Sequence, residues 1–479
     1  MDARQGRLTV LAAILGAIVV FIDSTVVNVA LPAMREDLGG GLAGQQWIND
    51  AYLLTLGSLL LIGGSLGDLH GRRRIFTIGV AGFGITSLLC AVAPTIETLV
   101  VARGLQGLAG ALLVPNTLGL IVARFAPNER GAAIGTWTAW TGISMVAGPL
   151  IGGVLLDVAS WRWIFAINVV PVATALWVAA QLDGTNDEPA PGHVDLAGAV
   201  LGALGLAGPV YALIEQPVRG WGDPLVAGAL AAGVLLLAAF LAYERRAAHP
   251  MLPLELFRER NFAVGNAATF AVYGGLGAGP FFLVIFLQQV AGYSPLEAGL
   301  ALLPITIVMF ELSKRFGALA DRIGPRIFMA AGPLLGGAGF ALLARVGASA
   351  DYLTEVLPGV LVLGFGLALT VAPLTATVLG GVEERHAGMA SAINNAIARV
   401  GGLLAIAAVG AVAGITELDA DTIDAFQRAM LVTGALVAAG GLLSALGIQN
   451  PRREVACAEC ERAATASAIA PPPAEPQHG

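Results

Sequence analysis

Three ionisable residues stand inside long apolar runs of this chain, where a charge needs a chemical reason. Asp23 lies in Phe21-Ile-Asp-Ser-Thr-Val-Val-Asn28-Val-Ala-Leu31-Pro32, Asp50 in Trp47-Ile-Asn-Asp50-Ala-Tyr52, and Arg103 in Arg103-Gly-Leu-Gln106-Gly107. A charge at mid-bilayer costs roughly 2.5–3.5 kcal/mol on insertion scales. Two acids and an arginine at similar depth suggest a buried, exchangeable charge site. Desolvation favours the protonated carboxyl and a neighbouring guanidinium the ionised one, so such an acid can load and release a proton as its surroundings change. The competing reading is a fixed ion pair that only joins helices. Asp50, nearer the headgroups, also fits a solvated interfacial carboxylate. A further acid, Glu311, precedes Lys314 by three residues, a spacing at which opposite charges on a helix can satisfy each other.

The elements that must position these groups follow from composition. Of 479 residues, 56% are apolar and 12% charged, against roughly 25% charged in soluble proteins. Apolar blocks fall at about 8–30, 48–67, 75–94, 97–123, 132–157, 162–181, 194–214, 224–243, 262–290, 296–316, 327–346, 353–379, 391–414 and 427–447. Several are long enough to span a bilayer as helices. The first block is as long as a full span and ends at no small-residue cleavage site, so it is read as a retained helix rather than a signal peptide. An even number of spans puts both termini on one side. Basic residues decide which side: Arg4, Arg7, Arg72, Arg73, Arg74, Arg124, Arg130, Arg245, Arg246, Arg258, Arg260, Lys314, Arg315, Arg322, Arg326, Arg385, Arg452 and Arg453 fall in loops or flanks on the side of the termini. The opposite side holds only Arg35, Arg162, Arg219, Arg345 and Arg428. Short basic loops are retained in the cytoplasm, so both termini are expected there.

Two short loops repeat one pattern. Gly64-Ser-Leu-Gly-Asp68-Leu-His-Gly71-Arg72-Arg73 has a weaker copy in Gly317-Ala-Leu-Ala-Asp321-Arg322-Ile-Gly324-Pro325-Arg326. The repeat divides the chain into a six-helix bundle at 1–182, linkers with two additional spans at 183–260, a second six-helix bundle at 261–447, and a disordered tail at 448–479. In the fifth block, Gly142-Ile-Ser-Met-Val-Ala-Gly148-Pro149-Leu-Ile-Gly152-Gly153 sets glycines at close-packing spacing around a proline. Such a face admits a neighbouring helix closely and can kink. Ordinary small-residue packing is the bland account; a moving interface is the one preferred here. Asn28, Gln106, Asn116, Asn266 and Gln288 are candidate polar groups of a substrate cavity, and side chains of this kind also bond between helices.

Taken in order, these motifs resemble the major facilitator superfamily, and within it the fourteen-helix drug:proton antiporters, over nearly all of the chain to about residue 447. Gly64 to Arg73 matches the superfamily's loop signature, and Gly317 to Arg326 looks like its degraded second copy. Arg103 with Gln106 and Gly107 is similar to the fourth-helix proton-transfer motif, Gly142 to Gly153 to the fifth-helix antiporter motif, and Asp23 to Pro32 to the first-helix motif of fourteen-helix members. The resemblance implies two six-helix bundles rocking about a central cavity, with the extra pair as helices seven and eight. By that resemblance Asp68 latches the cytoplasmic side through a helix N-terminus or Arg130 while the protein faces outward. Asp23 and Arg103 take part in proton coupling, and Asp50 matches an acidic position of several cation exporters. Glu311 and Lys314 depart from the pattern.

The expectation is therefore a monomeric multi-pass protein of the cell membrane that exports small lipophilic compounds, cationic ones among them, in exchange for protons. Its partners are the substrate, protons and the bilayer. It needs no cofactor, being driven by the proton gradient. No GxxxxGK[ST] loop appears for direct use of ATP. Proton-coupled uptake on the same fold is the nearest alternative. A membrane-embedded lipid-processing enzyme would need clustered acids or histidines, and His70, His193, His249, His386 and His478 are scattered. Net charge is −7 with arginines dispersed over loops, which excludes a nucleic-acid surface. Cys457 and Cys460 are read as free thiols, with no second pair or histidine cluster for a metal. The exchange mechanism requires Asp23 to reach a water-accessible chamber shared by the two bundles.

Overall fold

The computed structural model describes residues 3–183, 194–248, 250–383, 386–415 and 423–450. Cys457, Cys460 and the tail around them lie outside the described residues. Among the described residues, fourteen spans are long and apolar enough to cross a membrane. The first bundle comprises α1 (Ala3–Leu38), α2 (Gly41–His70), α3 (Arg72–Ala91), α4 (Ile96–Arg124), α5 (Pro127–Val158), α6 (Arg162–Ala166) and α7 (Val169–Ala180). The additional pair is α8 (Leu196–Arg219) and α9 (Pro224–Glu244). The second bundle comprises α10 (Arg260–Gln289), α11 (Pro295–Ala301), α12 (Leu303–Ile323), α13 (Pro325–Leu343), α14 (Leu357–Gly380), α15 (Ala387–Ala413) and α16 (Ile423–Gly447). Helices α6 and α7 make one span, as do α11 and α12. The second of these breaks just before Pro304, whose ring removes a donor from the first turn of α12.

The first two helices are longer than the apolar blocks suggest. Pro32 reads as a stop, yet α1 continues to Leu38, because one missing N–H is tolerated where neighbouring helices hold the backbone. The chain turns at Gly39 and Gly40, with φ of 80° and 85°, a conformation that a side chain would strain.

In lipid, helices associate by close packing rather than by hiding apolar area from water. The packing here is asymmetric along the membrane normal. We call the end that carries Asp68 and Asp321 the loop end. At the opposite, far end one apolar core runs through both bundles, with Val26, Leu31, Ile48 and Phe165 joined to Phe281, Phe282, Phe286 and Ala298. Towards the loop end it divides into two main cores. Val19, Phe76, Val80, Leu113 and Val178 belong to the first bundle; Phe262, Met329, Leu374, Val378 and Ile393 belong to the second. The bundles therefore close together at the far end and part towards the loop end.

The additional pair does not float beside the bundles. Val210 and Ile214 of α8 pack on Leu403 and Ala407 of α15 and on Trp47 and Leu54 of α2. The Trp47 indole also donates to Glu215 of α8 at 3.0 Å. Helix α8 thus lies along the seam where α2 meets α15, and α9 packs outside it, mostly exposed to the membrane.

Candidate functional site

Asp23 on α1 and Arg103 on α4 meet in the interior of the first bundle. The Arg103 Nη1 donates to Asp23 Oδ2 at 2.6 Å and to Gln106 Oε1 at 2.7 Å, and its Nε donates to the Ile48 carbonyl at 3.1 Å. The other carboxylate oxygen accepts from Gln106 Nε2 at 3.0 Å and from Asn168 at 3.4 Å. Asn168 also donates to Ser87 at 3.0 Å. The Tyr52 ring lies against the guanidinium, 4.2 Å from centroid to carbon. Asp23, Arg103 and Gln106 are each 0% exposed. Five segments of chain converge on this pair, which is paired, hydrogen-bonded and dry. Charge-assisted bonds of this kind are about twice as strong as neutral ones, and breaking one leaves the survivor uncompensated.

This geometry corrects one expectation. Asp23 does not face a chamber shared by the bundles; in this conformation it is enclosed by its own bundle, with Tyr52 beside its arginine. The reason is Arg103, whose length lets a single side chain bridge α1, α2 and α4 and draw the carboxylate inward.

Asp50 stands apart from the pair. It is 0% exposed, so it is not a solvated interfacial carboxylate. One oxygen accepts from Asn49 at 3.4 Å and Oδ2 has no hydrogen-bond partner. Its neighbours on the helix place it. Gln46 donates to the Ile406 carbonyl of α15 at 3.0 Å, and a Cβ added to Gly57 would lie 3.2 Å from that of Arg399, also on α15. Asp50 is four residues after Gln46 and seven before Gly57, hence on the same face of α2. The acid therefore sits at the seam between the bundles.

The loop signature folds as a turn in which Gly71 takes φ of 91°. Arg72 grips Asp68 at 2.9 Å and donates to the Gly119 carbonyl of α4 at 2.8 Å. Arg73 donates to the Ala179 carbonyl, at the C-terminus of α7, at 3.0 Å. Asp68 remains half exposed, and Arg130 donates instead to the Phe125 carbonyl at 2.9 Å. Gly64 rests on Pro115 in ordinary contact. In the second copy Gly324 repeats the turn with φ of 98°, Arg326 donates to the Ala445 carbonyl at the end of α16 at 2.8 Å, and Asp321 is exposed.

The glycine face of α5 meets two partners. A Cβ on Gly148 would strike Thr25 of α1, and one on Gly152 would strike Val26. A Cβ on Gly153 would come within 2.5 Å of the Leu296 backbone of α11, and one on Gly299 within 3.0 Å of the Pro149 carbonyl. These contacts make the far-end closure. Gly142, nearer the loop end, has nothing within 4 Å of such a Cβ. There α5 exposes Trp140 and Ile143, and α12 exposes Phe310, Glu311 and Lys314. The expected Glu311–Lys314 pair is not formed, since both side chains are exposed and exposed pairs gain little from closing.

The candidate cavity groups are mostly spent on holding helices. Asn116 donates to the Gly63 carbonyl of α2 at 2.9 Å, and Asn266 accepts from Asn394 of α15 at 3.1 Å. Gln288 crosses between bundles to the Val29 carbonyl at 3.0 Å, and Gln106 belongs to the Asp23 network. Asn28 keeps a buried polar atom, its Oδ1, without a hydrogen-bond partner. Arg399 is absent from the residues expected to act, although it stands in the block 391–414 as Arg103 stands in its own. The same signal, one guanidinium deep in an apolar run, marks both. Asn168, which completes the Asp23 shell, gives no such signal.

A two-bundle, fourteen-span helical chain with buried charges inside it has the architecture of a membrane transporter. The chain belongs to the Major Facilitator Superfamily, whose family model matches residues 13–406. It is accordingly a multi-pass membrane transporter and not an enzyme. It is 38% identical over 408 residues to the tetracenomycin C resistance and export protein of Streptomyces glaucescens, covering 84% of this chain and 75% of that one. It is 38% identical over 415 residues to a puromycin resistance protein of Streptomyces alboniger, covering 85% and 81%. A methylenomycin A resistance protein of Bacillus subtilis is 34% identical over 441 residues, covering 90% and 91%. Among solved structures an auto-inhibited POT-family peptide transporter superposes with a TM-score of 0.68 at 15% identity, over 94% of this chain and 98% of that chain, a likeness of fold.

Proposed function

We propose that the protein exports small, largely apolar antibiotic-like compounds from the cytoplasm in exchange for protons, by alternating exposure of a chamber between its two bundles. The observation that carries the proposal is the one-sided closure: α5 lies on α11 at the far end, while the apolar core divides towards the loop end. The basic loops support a cytoplasmic loop end, and with that orientation this conformation faces inward. The half-exposed Asp68, bonded only within its own loop and not to Arg130, accords with a latch released in that state. Resistance and export proteins among the relatives support the direction of transport.

The seam favours Asp50 over Asp23 as the proton carrier. A carboxylate sealed there without a counter-cation would be costly, whereas a protonated carboxyl with one donor beside it is not. Asp50 also lies on the surface that bundle motion must expose, while Asp23 is already neutralised by Arg103. In proteoliposomes with an imposed pH gradient, Asp50→Asn should abolish proton flux driven by puromycin, tetracenomycin C or methylenomycin A and preserve substrate exchange without a gradient. Undiminished substrate-driven proton flux in Asp50→Asn would remove the carrier role from this residue. No flux in the unaltered protein with any of these compounds or a wider antibiotic panel would remove proton exchange altogether.

A further inference from the structure

Arg399 is a guanidinium inside a transmembrane helix with no hydrogen bond or ion pair among the described residues. The contrast with Arg103, which has three hydrogen bonds and an aromatic face, shows what a buried arginine ordinarily acquires. All three bonds are donated by its own guanidinium, and the ring is that of Tyr52. Arg399 sits where α15 crosses α2 at Gly57, and two and three residues on, Gly401 and Gly402 of α15 lie against Phe270 and Tyr273 of α10. It is therefore central, near helices of both bundles, and it is half-buried rather than sealed.

A polar route leads to it. Ser391, Asn395 and Arg399 are spaced four apart and share one face of α15, running inward from the loop end. Asn395 is exposed and Ser391 half-buried, with Asn395 donating to the Ser391 carbonyl at 3.0 Å. No acid competes for the guanidinium. Asp23 is committed to Arg103, and Asp50 lies seven residues, about 10 Å along the helix axis, beyond Gly57 on the far-end side.

Resting on the export proposal above, and narrowing its substrate, we infer that Arg399 receives an anionic group of the exported compound, a carboxylate or an ionised phenol or enol. An aromatic body attached to that group would lie against Tyr273, the half-buried tyrosine of α10 beside this part of α15. Guanidinium groups recognise such oxyanions through paired N–H donors. The inference departs from the cationic substrates suggested by Asp23 and Asp50, because both acids are enclosed and neither offers an ionised oxygen to the chamber.

The test uses the full chain in neutral phosphatidylcholine nanodiscs and two dyes that share the xanthene ring system, anionic fluorescein and cationic rhodamine 6G, read by fluorescence anisotropy. Fluorescein should bind, and Arg399→Gln should weaken it at least tenfold, which corresponds to about 1.4 kcal/mol. Arg399→Lys should keep part of the affinity. The ratio of fluorescein to rhodamine affinity should fall in the Gln variant, which a merely structural role would leave constant. Monodisperse elution of each variant establishes folding. Absence of fluorescein binding, or equal binding by the unaltered protein and Arg399→Gln, overturns the inference. Export is judged separately: if fluorescein binds through Arg399 but no pH gradient drives its movement, the antiporter proposal fails and the anion site stands.

Discussion

In the first bundle, Asp23 of α1 meets an arginine, a glutamine and an asparagine, all within hydrogen-bond distance. On α10, the first helix of the second bundle, stand Phe281, Phe282 and Phe286, with Phe286 stacked on Phe426 of α16 at 3.9 Å between ring centroids. One bundle is locked by polar bonds that cannot slide, the other by aromatic contacts that tolerate small shifts. The polar groups left over, Asp50 and Arg399, stand at the border between the two. Charge inside a bundle here is spent on bonds within that bundle; charge on the border is not.

The sharpest way to break this comparison is to remove one member of the Asp23–Arg103 pair. Asp23→Ala or Arg103→Ala should destabilise the first bundle by about 3–5 kcal/mol, the usual cost of stranding a buried charge. Thermal unfolding in detergent should show it, with the double variant Asp23→Asn/Arg103→Gln recovering part of the loss. Unchanged melting in either single variant would deny the pair its structural weight. A smaller effect on stability, but a large one on transport, is expected at the far end. Gly153→Val would press on the Leu296 backbone, so dye efflux from loaded vesicles should fall at least tenfold while melting shifts little. The smallest effect tests the repeat itself. Arg73→Ala and Arg326→Ala each remove a cation from a helix C-terminus, worth roughly 0.3–1 kcal/mol apiece. Unequal losses well outside that range would show that the two loop copies do different work.

Most of the fold was legible because bilayers impose strict lengths: the fourteen apolar blocks all correspond to spans, and the two loop copies mark equivalent turns. The ends of α1 and α2 were not, since Pro32 looks like a terminator and its cost is absorbed by neighbours that one-dimensional reading cannot see. The site was legible in part. Asp23, Arg103 and Gln106 announce themselves by polarity in apolar surroundings, but which acid meets the arginine depends on helix rotation, and Asp50 differs from Asp23 only by the face it occupies. Asn116 and Asn266 misled for the opposite reason. An amide serves a neighbouring carbonyl as readily as a ligand, and sequence carries no sign of which it does.

Helix α8 has a consequence for how a molecule gets in. Because it clasps α2 and α15 together along their shared edge, on the proposed cycle that side would be the hinged jamb of a door, and the leaf would swing at the opposite side, between α5 and α12. Their parted halves expose Trp140, Ile143 and Phe310 near the loop end. On the proposed export cycle, a compound dissolved in the surrounding hydrocarbon would step sideways between them without first crossing into water.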